Sequence, residues 1–272
     1  MSPRFAGTKF RPTTLPCTLV DRPALHDRLM AGAGRRLTVV IGLAGAGKSV
    51  LLSSWAAARA VGTTSWLSCD EADANPVRFW SGFIEAARAA CPEFGADAAD
   101  LLALDGDVSA DVTASIANDV ARLPAGSAIV VDDFQNAAPA ATQSMADLLE
   151  RWPQQTAQLV LSARSDPPLR LHRLRMSDDL CELRDRDLYF SQDESRELLT
   201  KFGVELGPGD LARLQQRSEG WAAAVQMAAL SLRGASDPER VSRAVDIRGH
   251  AIAEYFIAEV LERQPAEVTR SC

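Results

Sequence analysis

The sequence predicts an α/β fold, a doubly wound parallel sheet followed by an all-α helical segment. Two observations support this prediction. Short apolar runs alternate with stretches of helical period up to about residue 190, and continuous apolar strands are typical of parallel sheets covered by helices on both faces. From Ser191 onward the pattern is only helical, and it opens with a capping box in which Ser191 is the N-cap and Glu194 lies three residues later.

The apolar runs predict five strands, at 37–41, 64–67, 128–131, 158–163 and 180–183. Helices are expected between them, most clearly at 48–60, 76–90, 109–123 and 140–152, whereas the polar stretch 95–108 is expected to be a surface excursion. Beyond the capping box, further helices are expected at 208–217, 220–233 and 247–263. The predicted division is an N-terminal arm with an adenine-side segment at 1–34, an α/β domain at 35–190 and a helical domain at 191–272. Residues 1–20 of the arm carry three prolines and are expected to be extended.

A glycine-rich loop after the first strand carries the most specific motif, G-x-x-x-x-G-K-[ST]. Glycines let backbone N–H groups turn toward phosphate oxygens, and the helix that follows adds unpaired N–H groups and partial positive charge. A lysine supplies charge to the β- and γ-phosphates, and a serine hydroxyl is a hard ligand for Mg²⁺. The motif therefore predicts a P-loop NTPase that binds ATP or ADP with Mg²⁺ through Gly42, Leu43, Ala44, Gly45, Ala46, Gly47, Lys48, Ser49 and Val50.

Two adjacent carboxylates end the apolar run 128–131, where open α/β sheets place their ligand sites. Such a site needs an anchor for Mg²⁺ and a group that orients or deprotonates the attacking water. We predict that Asp132 holds Mg²⁺ and that Asp133 polarises the nucleophile. The alternative, two acidic loop residues that cap the next helix, is less favoured because the chain also carries a phosphate loop.

Arg164 ends the next predicted strand and is a candidate for contact with the γ-phosphate, although a surface role is equally compatible with its position. The helix that follows contains three more arginines, Arg170, Arg173 and Arg175. A solvated face is the favoured interpretation of these three, ahead of a charge supplied to a neighbouring copy in an oligomer.

Composition excludes several classes of protein. With 29 basic and 36 acidic residues the formal charge is −7, so no global basic field attracts nucleic acid or an anionic membrane, and we expect no direct nucleic-acid binding. The five cysteines and three histidines are scattered, which argues against a site for a metal held by these residues and favours a reducing compartment. No apolar stretch approaches roughly 18 residues. A cytoplasmic chain that does not span a membrane is expected.

Several stretches together resemble one family. They are 9–12 and 19–22 before the phosphate loop, 65–73 after the second predicted strand, 129–134, 162–168 and 219–221. In this combination the chain resembles the ATPase region of the large LuxR-type transcriptional activators similar to MalT, within the STAND class of signal-transducing NTPases. The resemblance covers about residues 8 to 264.

The resemblance implies a switch in which ADP holds a closed monomer and ATP favours an open, self-associating form. It assigns the adenine side to Val20, Asp21 and Arg22, the γ-phosphate sensor to Arg164 and a segment that closes over the nucleotide to Gly220 and Trp221. It also implies sensor and helix-turn-helix parts beyond Cys272, so a fragment or a truncated gene product is expected, with DNA binding by the helix-turn-helix alone.

The chain departs from the family pattern at two positions. Ala222 stands where proline is common, and Gln135 stands where histidine is common. The leading prediction is a weakly hydrolysing ATP/ADP switch module of a transcriptional activator. The alternative is a stand-alone ATPase or kinase that acts on a small molecule or protein, although the sequence shows no second constellation suited to an acceptor.

Overall fold

The structure, a computed structural model, describes residues 3–153 and 156–233. Within them lies a five-stranded sheet in the order β2-β3-β4-β1-β5, in which every pairing is parallel. The strands are β1 Leu37–Ile41, β2 Thr64–Ser68, β3 Ser127–Asp132, β4 Ala157–Ala163 and β5 Leu180–Leu183. The predicted doubly wound parallel sheet is thereby confirmed.

Both faces of the central strands are covered. Successive side chains of a strand point to opposite faces, and every residue of β1, β3 and β4 is buried. In β1, Leu37, Val39 and Ile41 join the main apolar cluster, while Thr38 and Val40 between them are also buried. Burial on both faces explains why these strands are continuous apolar runs in the sequence.

Seven helices surround the sheet in the described part of the chain up to residue 184. They are α1 Pro23–Ala31, α2 Lys48–Ala57, α3 Pro76–Ala87, α4 Ala96–Asp105, α5 Ala110–Val120, α6 Pro139–Arg151 and α7 Leu171–Met176. Helix α3 contributes the bulkiest part of the core, because Phe79, Trp80 and Phe83 are fully buried and pack edge to face. No helix of the described residues is long and apolar enough to cross a membrane.

Two segments differ from the prediction. The stretch 95–108, expected as a surface excursion, contains helix α4, and its Ala98 and Leu102 are buried in the main core. The small alanine side chains give α4 a weak apolar pattern, which explains why periodicity missed it. In the arm, residues Gly7–Phe10 form a 3₁₀ turn, and Lys9 within it is 6% exposed.

Contacts between residues group the chain into two compact units. The first comprises Met1–Leu15, Arg22–Gly42 and Lys48–Arg184, and the second comprises Pro16–Asp21, Leu43–Gly47 and Asp185–Cys272. Described helices of the second unit are α8 Asp185–Leu188, α9 Gln192–Lys201, α10 Pro208–Ser218 and α11 Ala222–Leu232. Five central residues of the glycine-rich loop thus belong with the helical unit.

The second unit has its own apolar core, formed by Leu199, Val204, Leu211, Leu214, Ala228, Ala229 and Leu232. The predicted capping box of α9 is confirmed, since Ser191 Oγ accepts from the Glu194 N–H at 3.2 Å and Glu194 Oε2 accepts from the Ser191 N–H at 2.7 Å. The helix predicted at 247–263 lies outside the described residues.

Candidate functional site

The glycine-rich loop begins where β1 ends and closes where α2 starts. Gly42 donates its N–H to the Ala163 carbonyl at 3.1 Å, which continues the pairing of β1 with β4 by one residue. Gly45 and Gly47 have φ angles of 72° and 86°, a region that glycine adopts without the steric cost of a Cβ. Strand β1, the tight loop and the N-terminus of α2 therefore follow one another along the chain, which is the arrangement that binds phosphate in P-loop proteins.

Lys48, the first residue of α2, is 6% exposed. Its Nζ donates to the Gly42 carbonyl at 2.7 Å, so the ammonium group turns back toward the residue that follows β1. Its contact with the β- and γ-phosphates remains a prediction from the motif.

Asp132, the last residue of β3, is 3% exposed. Its carboxylate accepts a hydrogen bond from the hydroxyl of Ser162. Burial raises the pKa of Asp132 above its usual value and the neighbouring Asp133 charge adds to that rise, while the bond from Ser162, the nearby Ser49 hydroxyl and the Lys48 charge oppose it. Ser49 and Asp132 thus lie near each other, and both carry the hard oxygen ligands that Mg²⁺ prefers. That they hold the ion remains a prediction.

Asp133 has a left-handed backbone, with φ 55°, and is half-buried. Its N–H donates to Ser162 Oγ at 3.0 Å, and its Oδ1 accepts from Gln135 Nε2 at 2.9 Å. The unusual φ turns the chain at the end of β3, so that the two neighbouring carboxylates have different partners. That difference is compatible with separate roles for Asp132 and Asp133.

Arg164 follows β4 directly, and its N–H donates to Gln135 Oε1 at 3.2 Å. The Gln135 amide therefore connects Asp133 to the backbone at Arg164, across the ends of β3 and β4. Ser162 of β4 also connects the two strands, because its hydroxyl is hydrogen-bonded to both Asp132 and Asp133 at the end of β3. Sequence reasoning did not select Ser162, although a serine next to the carboxyl end of a largely apolar strand was a signal. It noted Gln135 only as a departure from the family.

Other candidates from the sequence lie elsewhere. On and beside α7, Arg170 contacts Glu150 at 2.5 Å and Arg175 contacts Glu182 at 2.7 Å, and all four side chains are at least partly exposed. Arg175, through its hydrogen bond, and Arg184 hold the pKa of Glu182 at about 2. Exposed ion pairs of this kind fit the solvated face favoured for these arginines.

The residues that the resemblance assigned to the nucleotide fall in both units. Arg22 is the N-cap of α1 in the first unit. In the second unit, Val20 packs against Leu198 and Val225. Trp221 also lies in the second unit, where it is 7% exposed and donates its indole N–H to the Ala44 carbonyl at 3.0 Å.

Comparison with known proteins agrees with this geometry. The family model of the AAA ATPase domain matches residues 23–162. The serine/threonine-protein kinase PknK of Mycobacterium tuberculosis (strain ATCC 25618 / H37Rv) is 31% identical over 98% of this chain and 24% of its own length. The HTH-type transcriptional regulator MalT of Yersinia enterocolitica is 29% identical over 93% of this chain and 28% of its own. The chain spans about a quarter of these curated relatives, so their whole-protein activities are not carried over to it.

Two solved structures share the fold. The Walker-type ATPase PABY2304 of Pyrococcus abyssi has a TM-score of 0.60 at 16% identity and covers 93% of this chain and 77% of its own. The STAND protein PH0952 of Pyrococcus horikoshii, which has a tetratricopeptide repeat sensor, has a TM-score of 0.58 at 14% identity and covers 93% of this chain and 36% of its own. The predicted resemblance to MalT-like, STAND-class P-loop NTPases is confirmed. Since the family model matches more than half of its residues, the chain belongs to the AAA ATPase domain family.

Proposed function

We propose that this chain is an ATP- and ADP-binding switch module, with slow Mg²⁺-dependent hydrolysis, of a transcriptional activator similar to MalT. The observation that carries the proposal is a pair of buried charged side chains: Lys48, whose Nζ donates to the Gly42 carbonyl at 2.7 Å, and Asp132, which lies near Lys48 and Ser49. A lysine, a serine hydroxyl and a carboxylate gathered after a phosphate loop suit a nucleotide with its magnesium ion.

Each residue has a chemical role in this proposal. Backbone N–H groups of residues 43–47 and the Lys48 ammonium bind the β- and γ-phosphates, and Ser49 with Asp132 holds Mg²⁺. The ion, when bound, neutralises charge on the phosphate oxygens. Asp133 orients the attacking water and takes its proton as the new oxygen–phosphorus bond forms and the bond to the ADP oxygen breaks. Arg164 faces the charge of the γ-phosphate.

The remaining assignments follow the resemblance. Val20 and Arg22 serve the adenine side, and Trp221 responds to the bound nucleotide. ATP, more than ADP, promotes association of copies of this chain, which acts in the cytoplasm. DNA binding in this proposal belongs to a helix-turn-helix in another part of a longer protein, so the chain itself does not bind promoter DNA.

Equilibrium titration with ATP and ADP tests the phosphate loop first. Lys48→Ala removes a charge-assisted contact to phosphate, and loss of about 1.5–3 kcal/mol corresponds to roughly 10- to 150-fold weaker binding. Arg122→Ala, just after α5, is the control, because it removes a positive charge from an ion pair with Asp119 that lies away from the residues assigned to the nucleotide. Equal affinities of the two variants would contradict the assignment of the phosphate loop.

The rate of ATP hydrolysis and the self-association of the chain in ATP and in ADP test the proposed switch. Hydrolysis well below roughly ten per second, the median for enzymes, is expected, together with faster sedimentation in ATP than in ADP. Rapid turnover would favour the alternative, a stand-alone ATPase or kinase. A shift of promoter DNA in a gel by this chain alone would contradict the placement of DNA binding outside it.

A further inference from the structure

The outer side of the glycine-rich loop is bound by the start of α11. The Ala44 carbonyl accepts the indole N–H of Trp221 at 3.0 Å, and the Gly45 carbonyl accepts the N–H of Ala223 at 3.1 Å. All four residues belong to the second unit. Two consecutive carbonyls of the loop are therefore occupied by donors from one helix N-terminus.

The approach between loop and helix is close. A Cβ added to Gly45 would lie 2.7 Å from Ala223 Cβ and 2.9 Å from Trp221 Cζ2, and the residue has φ 72°. Both the space and the backbone conformation therefore require glycine. The phosphate-binding motif leaves this position open, and contact with α11 adds a steric requirement for glycine to that of the backbone conformation.

Trp221 is itself rigidly held. It is the N-cap of α11, and Ala224 and Val225, in the first turn of that helix, are buried. The preceding Gly220 has φ 81°, and its carbonyl accepts from the Phe190 N–H at 2.7 Å. The indole thus connects the loop to the body of the helical unit.

Because the peptide unit is planar, the two hydrogen bonds to the loop carbonyls also set the direction of the N–H groups that follow those carbonyls. In a trans peptide the carbonyl of one residue and the N–H of the next point in opposite directions. A carbonyl of Ala44 that is fixed toward Trp221 therefore fixes the Gly45 N–H away from α11. In the same way the Gly45 carbonyl directs the Ala46 N–H, which points across the loop to the Leu43 carbonyl at 3.2 Å.

We propose that Trp221 is a positioning residue that orients the Gly45 N–H of the loop toward phosphate through its bond to Ala44, and thereby couples nucleotide binding to the contact between the loop and the N-terminus of α11. The proposal rests on the nucleotide binding proposed above. Coupling between two equilibria is reciprocal. A nucleotide that needs the oriented loop therefore stabilises the bond from Trp221 by the same factor by which that bond strengthens nucleotide binding.

The test compares two tryptophan variants of the full chain. Trp221→Phe removes the indole donor and keeps an aromatic ring. Trp152→Phe is the matched control, since Trp152 is 3% exposed and donates its indole N–H to another backbone carbonyl, that of Ala157, at 2.9 Å. Titration with ATP is expected to show about two- to tenfold weaker binding by Trp221→Phe, and no change by Trp152→Phe.

A second measurement on the wild-type chain does not depend on any variant. ATP is expected to slow hydrogen exchange of the Trp221 indole N–H by a similar factor, and to leave that of Trp152 unchanged. Equal affinities of the two variants, or no slowing at Trp221, would overturn the inference while leaving wild-type nucleotide binding intact. A wild-type chain that binds no nucleotide would instead defeat the proposed function, and this inference with it.

Discussion

Ser162 in β4 connects both acidic residues at the end of β3, and its replacement by alanine tests the internal structure of the candidate site. The side chain is fully buried. Its Oγ donates to Asp132 Oδ1 and accepts the Asp133 N–H at 3.0 Å. Ser162→Ala removes both bonds with little change in volume, so the effect reports on hydrogen bonding.

The expected fall in the free energy of unfolding is the sum of the costs for the two groups that lose their hydrogen bond to Ser162. Asp132 is 3% exposed, and loss of a bond to a buried charged acceptor costs about 1.5–3 kcal/mol. Asp133 is half-buried, so water replaces part of the bond to its N–H, at a cost of about 0.5–1.5 kcal/mol. The sum predicts that the free energy of unfolding falls by about 2–4.5 kcal/mol.

Urea unfolding of Ser162→Ala and Ser65→Ala measures this loss. Ser65 in β2 is the matched control, because it is 1% exposed and its hydroxyl has no hydrogen-bond partner among the described residues. Because a buried hydroxyl without a partner carries an uncompensated desolvation cost, Ser65→Ala is not expected to lower the free energy of unfolding. A lower midpoint with an unchanged m-value is expected for Ser162→Ala. Equal midpoints for the two variants would refute the bonding described for Ser162.

The same substitution has a consequence for pH dependence. The bond from Ser162 opposes the rise in the pKa of Asp132 that burial causes, so Ser162→Ala raises this pKa further. A protonated carboxyl is a poor ligand for Mg²⁺. The pH below which Mg²⁺-dependent nucleotide binding weakens should therefore move upward in the variant. An unchanged pH profile would show that Asp132 does not hold the ion.

Three further predictions concern the site, the second unit and the sheet edge. Asp133→Asn should lower the rate of phosphate release by about a hundredfold or more with ATP affinity retained, and unchanged turnover would assign the water to another residue. Gly220→Ala should lower the free energy of unfolding by at least about 2 kcal/mol. The φ angle of Gly220 is 81°, and the new Cβ would lie 2.2 Å from the Phe190 carbonyl oxygen. An unaltered urea midpoint would contradict this prediction. The pKa of Glu182 is depressed from 4.5 to about 2, so its ion pairs add stability above pH 4.5 that is lost as pH falls toward 2. The difference in melting temperature between the wild type and Glu182→Gln should shrink over that range, and a constant difference would argue against the ion pairs.

The positions of the strands were predictable because parallel strands are buried on both faces. All five predicted runs are strands of the sheet. The reason is clearest for β1, β3 and β4, which are buried along their whole length, whereas the edge strands β2 and β5 are buried only in part. The glycine-rich loop was predictable for a different reason. The residues of the motif itself meet local requirements of backbone conformation and charge, whereas at Gly45, which the motif leaves open, contact with α11 adds a further requirement.

Interactions between distant residues were not predictable in the same way. Lys9 contacts Asp70 at 2.7 Å and Asp73 at 2.5 Å, although more than 60 residues separate it from each. The arm that carries Lys9 was expected to be extended, and Lys9 itself was noted only as part of a family resemblance. Its burial becomes clear only once the arm is placed against the end of β2.

The sequence by itself determined the phosphate loop, the two acidic residues after β3 and the alternation that makes a parallel α/β sheet, because these depend on residue type and short spacing. Only the tertiary structure decided how the parts meet. The order β2-β3-β4-β1-β5 places Ser162 of β4 against both acidic residues and brings Ser49 to Asp132. The fold of the second unit brings the indole N–H of Trp221 to the Ala44 carbonyl of the loop. Strand order and helix docking follow from packing over the whole chain, which local residue patterns do not encode.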